Sequence, residues 1–327
     1  MPGRCDKSIQ ASIVRDTSRR PLLIAGSGRS GTTWISNVIA AEGCVQIFEP
    51  LSAARVHEVP RWGVSSGLPG KYLRPTDSCP EWERYFQKVL AGAVSNAWTR
   101  QDWTRVPERW RRSPLTERIG YRLAKMRYQW RAAKAKYTVI KEIRANLMLG
   151  WLSENFPIRI VFVTRHPCAV VGSRMRLGWD VDTERILVQP ELLDEFLSPF
   201  EGIIREAKST ISQHAVNWCV ENLIPLHQIR HYGWLWTAYE AFVADPEGTF
   251  DRLFSYFGLP NTGTIDRVIA QRVSTPSTTS GGVTGWHHPL TLSEGEEVLS
   301  ICNSFGIFLY GRQDQPIFES DEPVAVQ

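Results

Sequence analysis

No run of apolar residues in this 327-residue chain approaches the roughly 20 that a membrane-spanning helix requires. The first 20 residues are polar and basic (Arg4, Lys7, Arg15, Arg19, Arg20) and lack the apolar core of a secretory signal peptide. The six cysteines (Cys5, Cys44, Cys79, Cys168, Cys219, Cys302) stand apart, with no C-x-x-C pair. That pattern indicates neither a zinc site nor a disulfide framework and fits a reducing compartment. A formal net charge of +4 does not point to nucleic acid. The expectation is a soluble, cytoplasmic protein with no nucleic-acid partner. Composition gives no sign of disorder, since 43% of residues are hydrophobic. The chain is long enough for one large α/β domain over residues 21–315, between a loose N-terminal arm (1–20) and an acidic tail (316–327).

The chain is organised around residues 21–34, P-L-L-I-A-G-S-G-R-S-G-T-T-W. The apolar run Leu22 to Ala25 has no polar alternation and predicts a strand buried on both faces, as in a parallel sheet. Gly26, Gly28 and Gly31 then allow a tight turn, and helical spacing resumes at Thr32. A strand, a glycine loop and a helix N-terminus together favour an anion. The spacing matches a nucleotide-phosphate loop, but Thr32 stands where Lys is required, and the loop's cation is Arg29. A terminal phosphoryl group usually wants that Lys and Mg²⁺. A sulfuryl group carries a single negative charge, which one Arg and backbone amides can answer. An ordinary glycine turn in an α/β crossover stays open as the plainer reading.

G-S-G-R-S-G-T-T-W resembles the 5′-phosphosulfate loop of the sulfotransferases that use 3′-phosphoadenosine-5′-phosphosulfate (PAPS). The resemblance implies that Gly28, Arg29, Ser30, Gly31, Thr32, Thr33 and Trp34 bind the co-substrate. Residues 44–48 read as a second strand ending in Phe48-Glu49-Pro50-Leu51. If the two strands are sheet neighbours, Glu49 faces the same crevice as the loop and can accept a proton. A strand-end Glu exposed to water is the alternative. F-E-P-L resembles the corresponding segment of the carbohydrate sulfotransferases, which implies Glu49 as the base, with His57 in reserve. Closure of residues 55–136 over Glu49 is expected to desolvate it and raise its basicity.

Residues 137–144 predict a strand carrying Lys141, a further candidate at the site. Residues 158–164 predict another buried strand, ending in Arg165-His166-Pro167, where a Mg²⁺-dependent nucleotide enzyme is expected to place an Asp. Arg165 with Ser173, two turns on, makes a second anion site separate from the loop. T-R-H-P-C-A-V-V-G-S-R resembles the 3′-phosphate segment of the same families. His166 stands where those families often have Asp, which would cap the helix. Cys168 stands where they often have Arg, leaving that role to Arg174 or Arg176. Tyr239, after a strand at 234–239, resembles the family's tyrosine near the adenine, with core packing as the alternative.

Residues 55–136 hold six of the thirteen tryptophans, and between Arg100 and Lys136 there are twelve Lys and Arg against three acids. This reads as a basic, Trp-rich helical insertion capping the acceptor site, its aromatic faces and cations suited to an acidic sugar. A solvated basic helix, or one lying on an anionic membrane surface, is the alternative. A polar loop at 274–285 precedes His287 and His288 and lacks the Lys or Arg that relatives supply there. No metal site is indicated. Residues 200–230 read as a core helix that Pro225 kinks or ends.

The resemblance as a whole implies a P-loop nucleotide-hydrolase-like parallel sheet flanked by helices. It implies a PAPS-dependent sulfotransferase of the carbohydrate or tyrosylprotein type, with Glu49, Arg29 and Lys141 catalytic and with no metal. It implies, as acceptor, a hydroxyl on a sugar or glycolipid. An atypical P-loop kinase and a non-catalytic module that binds nucleotide or anionic glycan are the alternatives.

Overall fold

Strand β1 (Leu22–Gly26) is the middle strand of the sheet. In the computed structural model, residues 21–41, 44–53, 68–91, 137–260 and 290–317 are described, with isolated positions between 56 and 135. Around β1 lie β2 (Val45–Phe48), β3 (Thr138–Glu142), β4 (Arg159–Thr164) and β5 (Leu235–Ala238). They form one sheet in the order β2-β3-β1-β4-β5, with every pairing parallel.

Both faces of the sheet are covered, as the unalternated apolar run in β1 predicts. Leu23 and Ala25 join one core cluster with Ile140, Phe162 and Trp218. Leu22 and Ile24 join the other, with Val139, Val161, Phe242, Phe250 and Phe254. Successive side chains of a strand point to opposite faces, so one five-residue strand contributes to two cores.

Helices cover the faces: Thr32–Ala41, Pro80–Leu90, Leu149–Asn155, Pro167–Arg176, Thr210–Tyr232, Pro246–Phe257 and Leu292–Ser304 are the longer ones. The helix Pro80–Leu90 buries Trp82, Tyr85, Phe86 and Val89, and Phe86 packs against Trp151 and Phe156. This part of the Trp-rich stretch is therefore core. Most of residues 95–136, the N-terminal arm, residues 261–289 and the acidic tail after residue 317 lie outside the described residues.

Pro225 does not end its helix. Thr210–Tyr232 runs through it for 23 residues, the break falling earlier, after Glu201–Glu206. An interior Pro costs about 3 kcal/mol. Burial of flanking Leu223, Ile224 and Leu226, at roughly 1.5–3 kcal/mol each, outweighs it. Among the described residues no helix is long and apolar enough to cross a membrane.

Candidate active site

All five strands end at the same edge, and each delivers a site residue there. The glycine loop follows β1, Glu49 follows β2, Lys141 and Glu142 close β3, Arg165 follows β4 and Tyr239 follows β5. In a parallel sheet this carboxyl edge is where ligands gather, because the loops leaving it carry the helix N-termini.

The loop's shape is set from within. Ser30 N–H donates to the Ser27 carbonyl at 3.0 Å, and the Ser30 hydroxyl donates to the same oxygen, so Ser30 shapes the loop rather than offering a hydroxyl outward. Thr32 is buried and Thr33 exposed at the start of the helix. Gly31 has φ +85°, and a Cβ there would lie 2.2 Å from the Tyr239 ring. Only glycine lets the chain pass so close to Tyr239. Trp34 stands edge-on to Tyr239, Phe242 and Phe250, with centroids 6.2, 6.1 and 5.6 Å away, and pins the helix start to the core.

Arg29 adopts φ +84°, a left-handed conformation that a non-glycine residue keeps only when its surroundings enforce it. Its Nε donates to Ser173 Oγ at 3.0 Å, and its carbonyl accepts from Arg165 Nη1 at 3.0 Å. The Arg165 guanidinium lies 4.3 Å over the Tyr239 ring. The residues of the two expected anion sites, read as separate, are in contact. Arg29, Arg165, Ser173 and Tyr239 are linked side by side, because Arg29 reaches across the loop to the helix Pro167–Arg176. Burial, then the charges of Arg165, Arg176 and Arg174, hold the Arg29 pKa below its ordinary value. Such crowding of positive charge is relieved by an anion.

The spare phosphate ligand sought at Arg174 or Arg176 is not Arg174. That side chain is fully buried and ion-paired with Glu221 at 2.7 Å, whereas Arg176 is exposed. His166 takes over the capping role of the absent Asp. Its Nδ1 accepts from Cys168 N–H at 3.3 Å, which places the ring proton on Nε2, donated to the Gly311 carbonyl at 3.0 Å. The Glu240 carboxylate accepts the His166 N–H at 3.0 Å, fixing the strand end from which Arg165 projects.

β2 is not the neighbour of β1 that the sequence suggests, because β3 lies between them; at the end of β2, Glu49 is buried, with φ +45°. Its N–H donates to the Lys141 carbonyl at 2.7 Å. Lys141 Nζ donates to Glu49 Oε1, and Arg144 Nη1 donates to Oε2 at 3.1 Å. Burial alone would raise the Glu49 pKa, but Lys141 and then Arg144 outweigh it and hold the carboxyl below its usual range. The expectation that desolvation makes Glu49 more basic is therefore corrected. Lys141 is pushed down by burial against the opposing pull of Glu49.

Arg144 and Trp179 carried no sequence signal. Trp179, half-buried, lies against Gly28, where a Cβ would stand 2.7 Å from its ring and 3.2 Å from Ile143 Cδ1. Gly28 thus makes room for the Trp179 indole against the loop. Glu142 accepts the N–H groups of Leu51, Ile143 and Arg144 at 2.7, 2.8 and 2.9 Å and so shapes the turn carrying Arg144. His57, His287 and His288 lie outside the described residues. Among the described residues no group of His, Cys, Asp and Glu is arranged to hold a metal.

Comparison with known proteins completes this picture. The model of the sulfotransferase family matches residues 21–263, and no curated protein matches. A sulfotransferase domain from the curacin biosynthetic pathway is 13% identical with a TM-score of 0.42, covering 87% of this chain and 96% of its own. That from the Synechococcus PCC 7002 olefin synthase is 16% identical, TM-score 0.42, covering 88% and 95%. Sulfotransferase STF1 from Mycobacterium tuberculosis H37Rv is 16% identical, TM-score 0.43, covering 91% and 80%. The family model takes in the loop, Glu49, Lys141, Arg165 and Tyr239 within one match, and the chain belongs to the sulfotransferase family, enzymes that draw their sulfuryl group from PAPS.

Proposed function

We propose that this protein transfers the sulfuryl group of PAPS to a hydroxyl of a carbohydrate or glycoconjugate, with Glu49 as the base. The observation that carries the reading is the placement of the Glu49 carboxylate between two cations at the carboxyl edge of the sheet, one strand away from the strand that leads into the glycine loop. A bond forms between the acceptor oxygen and sulfur as the bond from sulfur to the 5′-phosphate oxygen breaks. The acceptor proton goes to Glu49, and 3′-phosphoadenosine-5′-phosphate leaves. Arg29, Thr32, Thr33 and the loop amides answer the charge that grows on the sulfuryl and bridging oxygens, with Lys141 beside the base. Gly28, Ser30, Gly31 and Trp34 shape the cradle, and Arg165, Ser173 and Tyr239 take the 3′-phosphate and adenine end.

The carbohydrate assignment is supported by the phrase F-E-P-L. The glycine loop after a central strand supports kinship with the P-loop fold. We place the enzyme in the cytoplasm, which the scattered cysteines support. Residues 55–136, apart from the core helix Pro80–Leu90, act as the cap over the acceptor, within a single domain 21–315. Contact of this cap with an anionic membrane surface, and so a glycolipid acceptor, is supported by Leu115, Ile119, Leu123 and Met126. They recur at helical spacing and are exposed, in a stretch (114–136) with seven Lys and Arg against one Glu. Family membership sets aside the kinase and the non-catalytic alternatives.

A transfer assay with radiolabelled PAPS over sugars, glycolipids, phenols and peptides tests the reading. Label in a phenol or peptide alone would overturn the carbohydrate assignment.

A further inference from the structure

Beneath the glycine loop lies a buried charged pair for which the transfer reaction described above has no use. Arg174 Nε and Nη2 both donate to the Gly28 carbonyl at 3.2 Å, and Nη2 also donates to Glu221 Oε2 at 2.7 Å. Both side chains are fully buried. The next residue of the long helix, Asn222, donates from Nδ2 to Ser27 Oγ at 2.9 Å. Two successive residues of Thr210–Tyr232 therefore reach the underside of the loop, one directly and one through Arg174.

The direction of these bonds matters because a trans peptide points its carbonyl and the following N–H in opposite directions. With the Gly28 carbonyl drawn inward by Arg174, the Arg29 N–H is turned outward, to the side where the loop meets its ligand. The next carbonyl, of Arg29, is held by Arg165, so the Gly28–Arg29 and Arg29–Ser30 peptides are each fixed by a guanidinium. This double anchoring accounts for the left-handed φ of Arg29. A buried ion pair adds little net stability, whereas a guanidinium fork fixes the direction of the carbonyl it grips.

We propose that Arg174 and Glu221 are a positioning pair that aims the Arg29 N–H at the 5′-phosphosulfate end of PAPS, with Glu221 orienting the fork. Neither touches the ligand; they act through the Gly28 carbonyl. The proposal rests on the reading that this loop holds the 5′ end of the co-substrate.

The test uses the full chain and two probes, 3′-phosphoadenosine-5′-phosphate and adenosine 3′-monophosphate, which lacks the 5′ group. Arg174→Lys keeps the charge without the fork, and Glu221→Gln keeps the size without the charge. Both should weaken the bisphosphate on the order of tenfold and leave the monophosphate within about twofold. Equal weakening of both probes would mean a general structural role and overturn the proposal, as would unchanged binding of both. Melting curves identify any variant that unfolds, and Glu221→Gln, the milder change, then decides. A wild-type chain that binds the monophosphate as tightly as the bisphosphate overturns the underlying reading of the loop, a failure distinct from that of the pair.

Discussion

Lys141 and Glu49, 92 residues apart in sequence, meet as a buried ion pair at the ends of adjacent strands. Arg144 occupies the second carboxylate oxygen at 3.1 Å. The proposed proton acceptor is thus fixed in place by the cations that lower its basicity.

If Glu49 is the base, Glu49→Gln keeps size and hydrogen bonding but removes proton acceptance. Turnover should drop on the order of 10² to 10⁴-fold, with bisphosphate affinity retained. His57→Ala is the paired control. Loss of turnover in His57→Ala with Glu49→Gln still active would transfer the role to the histidine.

The cations around Glu49 set the acid limb of the pH profile. Because they hold its pKa below the usual range, Glu49 stays ionised as pH falls through about 4.5, and turnover should persist there in an enzyme that remains folded. Lys141→Met removes the stronger of the two cations, so the limb should move to higher pH. An acid limb unmoved by Lys141→Met would show that another group is titrating. The lowered Glu49 carboxyl also contributes stability that is present above the unfolded carboxylate value and lost as pH falls through the lower folded one.

Arg29 and Arg165 should fail differently despite their contact. Arg165→Ala removes charge from the 3′-phosphate end and releases the Arg29 carbonyl, so bisphosphate affinity should suffer most. Arg29→Ala should lower turnover more than affinity, with a smaller affinity loss because its Nε also bonds Ser173. Equal affinity losses with turnover intact in both would contradict these roles.

His214 is almost fully buried, and burial, followed by the charge of Arg174, pushes its pKa down to about 4. The unfolded chain binds this proton near pH 6.5, so stability is fully present above that value and falls as pH drops toward about 4. The slope from this one group should approach ~1.4 kcal/mol per pH unit. Denaturant titrations at several pH values should show it, and His214→Phe should remove it. An unchanged slope in the variant would assign the acid sensitivity elsewhere.

What the sequence determined by itself is local. The unbroken apolar run of β1 required a strand covered on both faces, and Gly26 to Thr33 required a tight loop opening a helix. The positions of Glu49, Arg165 and Tyr239 just after apolar runs placed them at strand ends. Side-chain periodicity and glycine's backbone freedom act within a few residues, so they can be read along the chain. Tertiary structure decided everything that depends on distance through space and on exclusion of water. It brought Lys141 and Arg144 to Glu49 and so reversed the expected direction of its pKa. It turned Arg174 inward to Glu221, gave the helix cap to a histidine, joined Arg29 to Ser173 and carried a helix through Pro225. Each of these outcomes balances burial against charge among residues far apart in sequence, and only the folded arrangement of strands fixes which of them become neighbours.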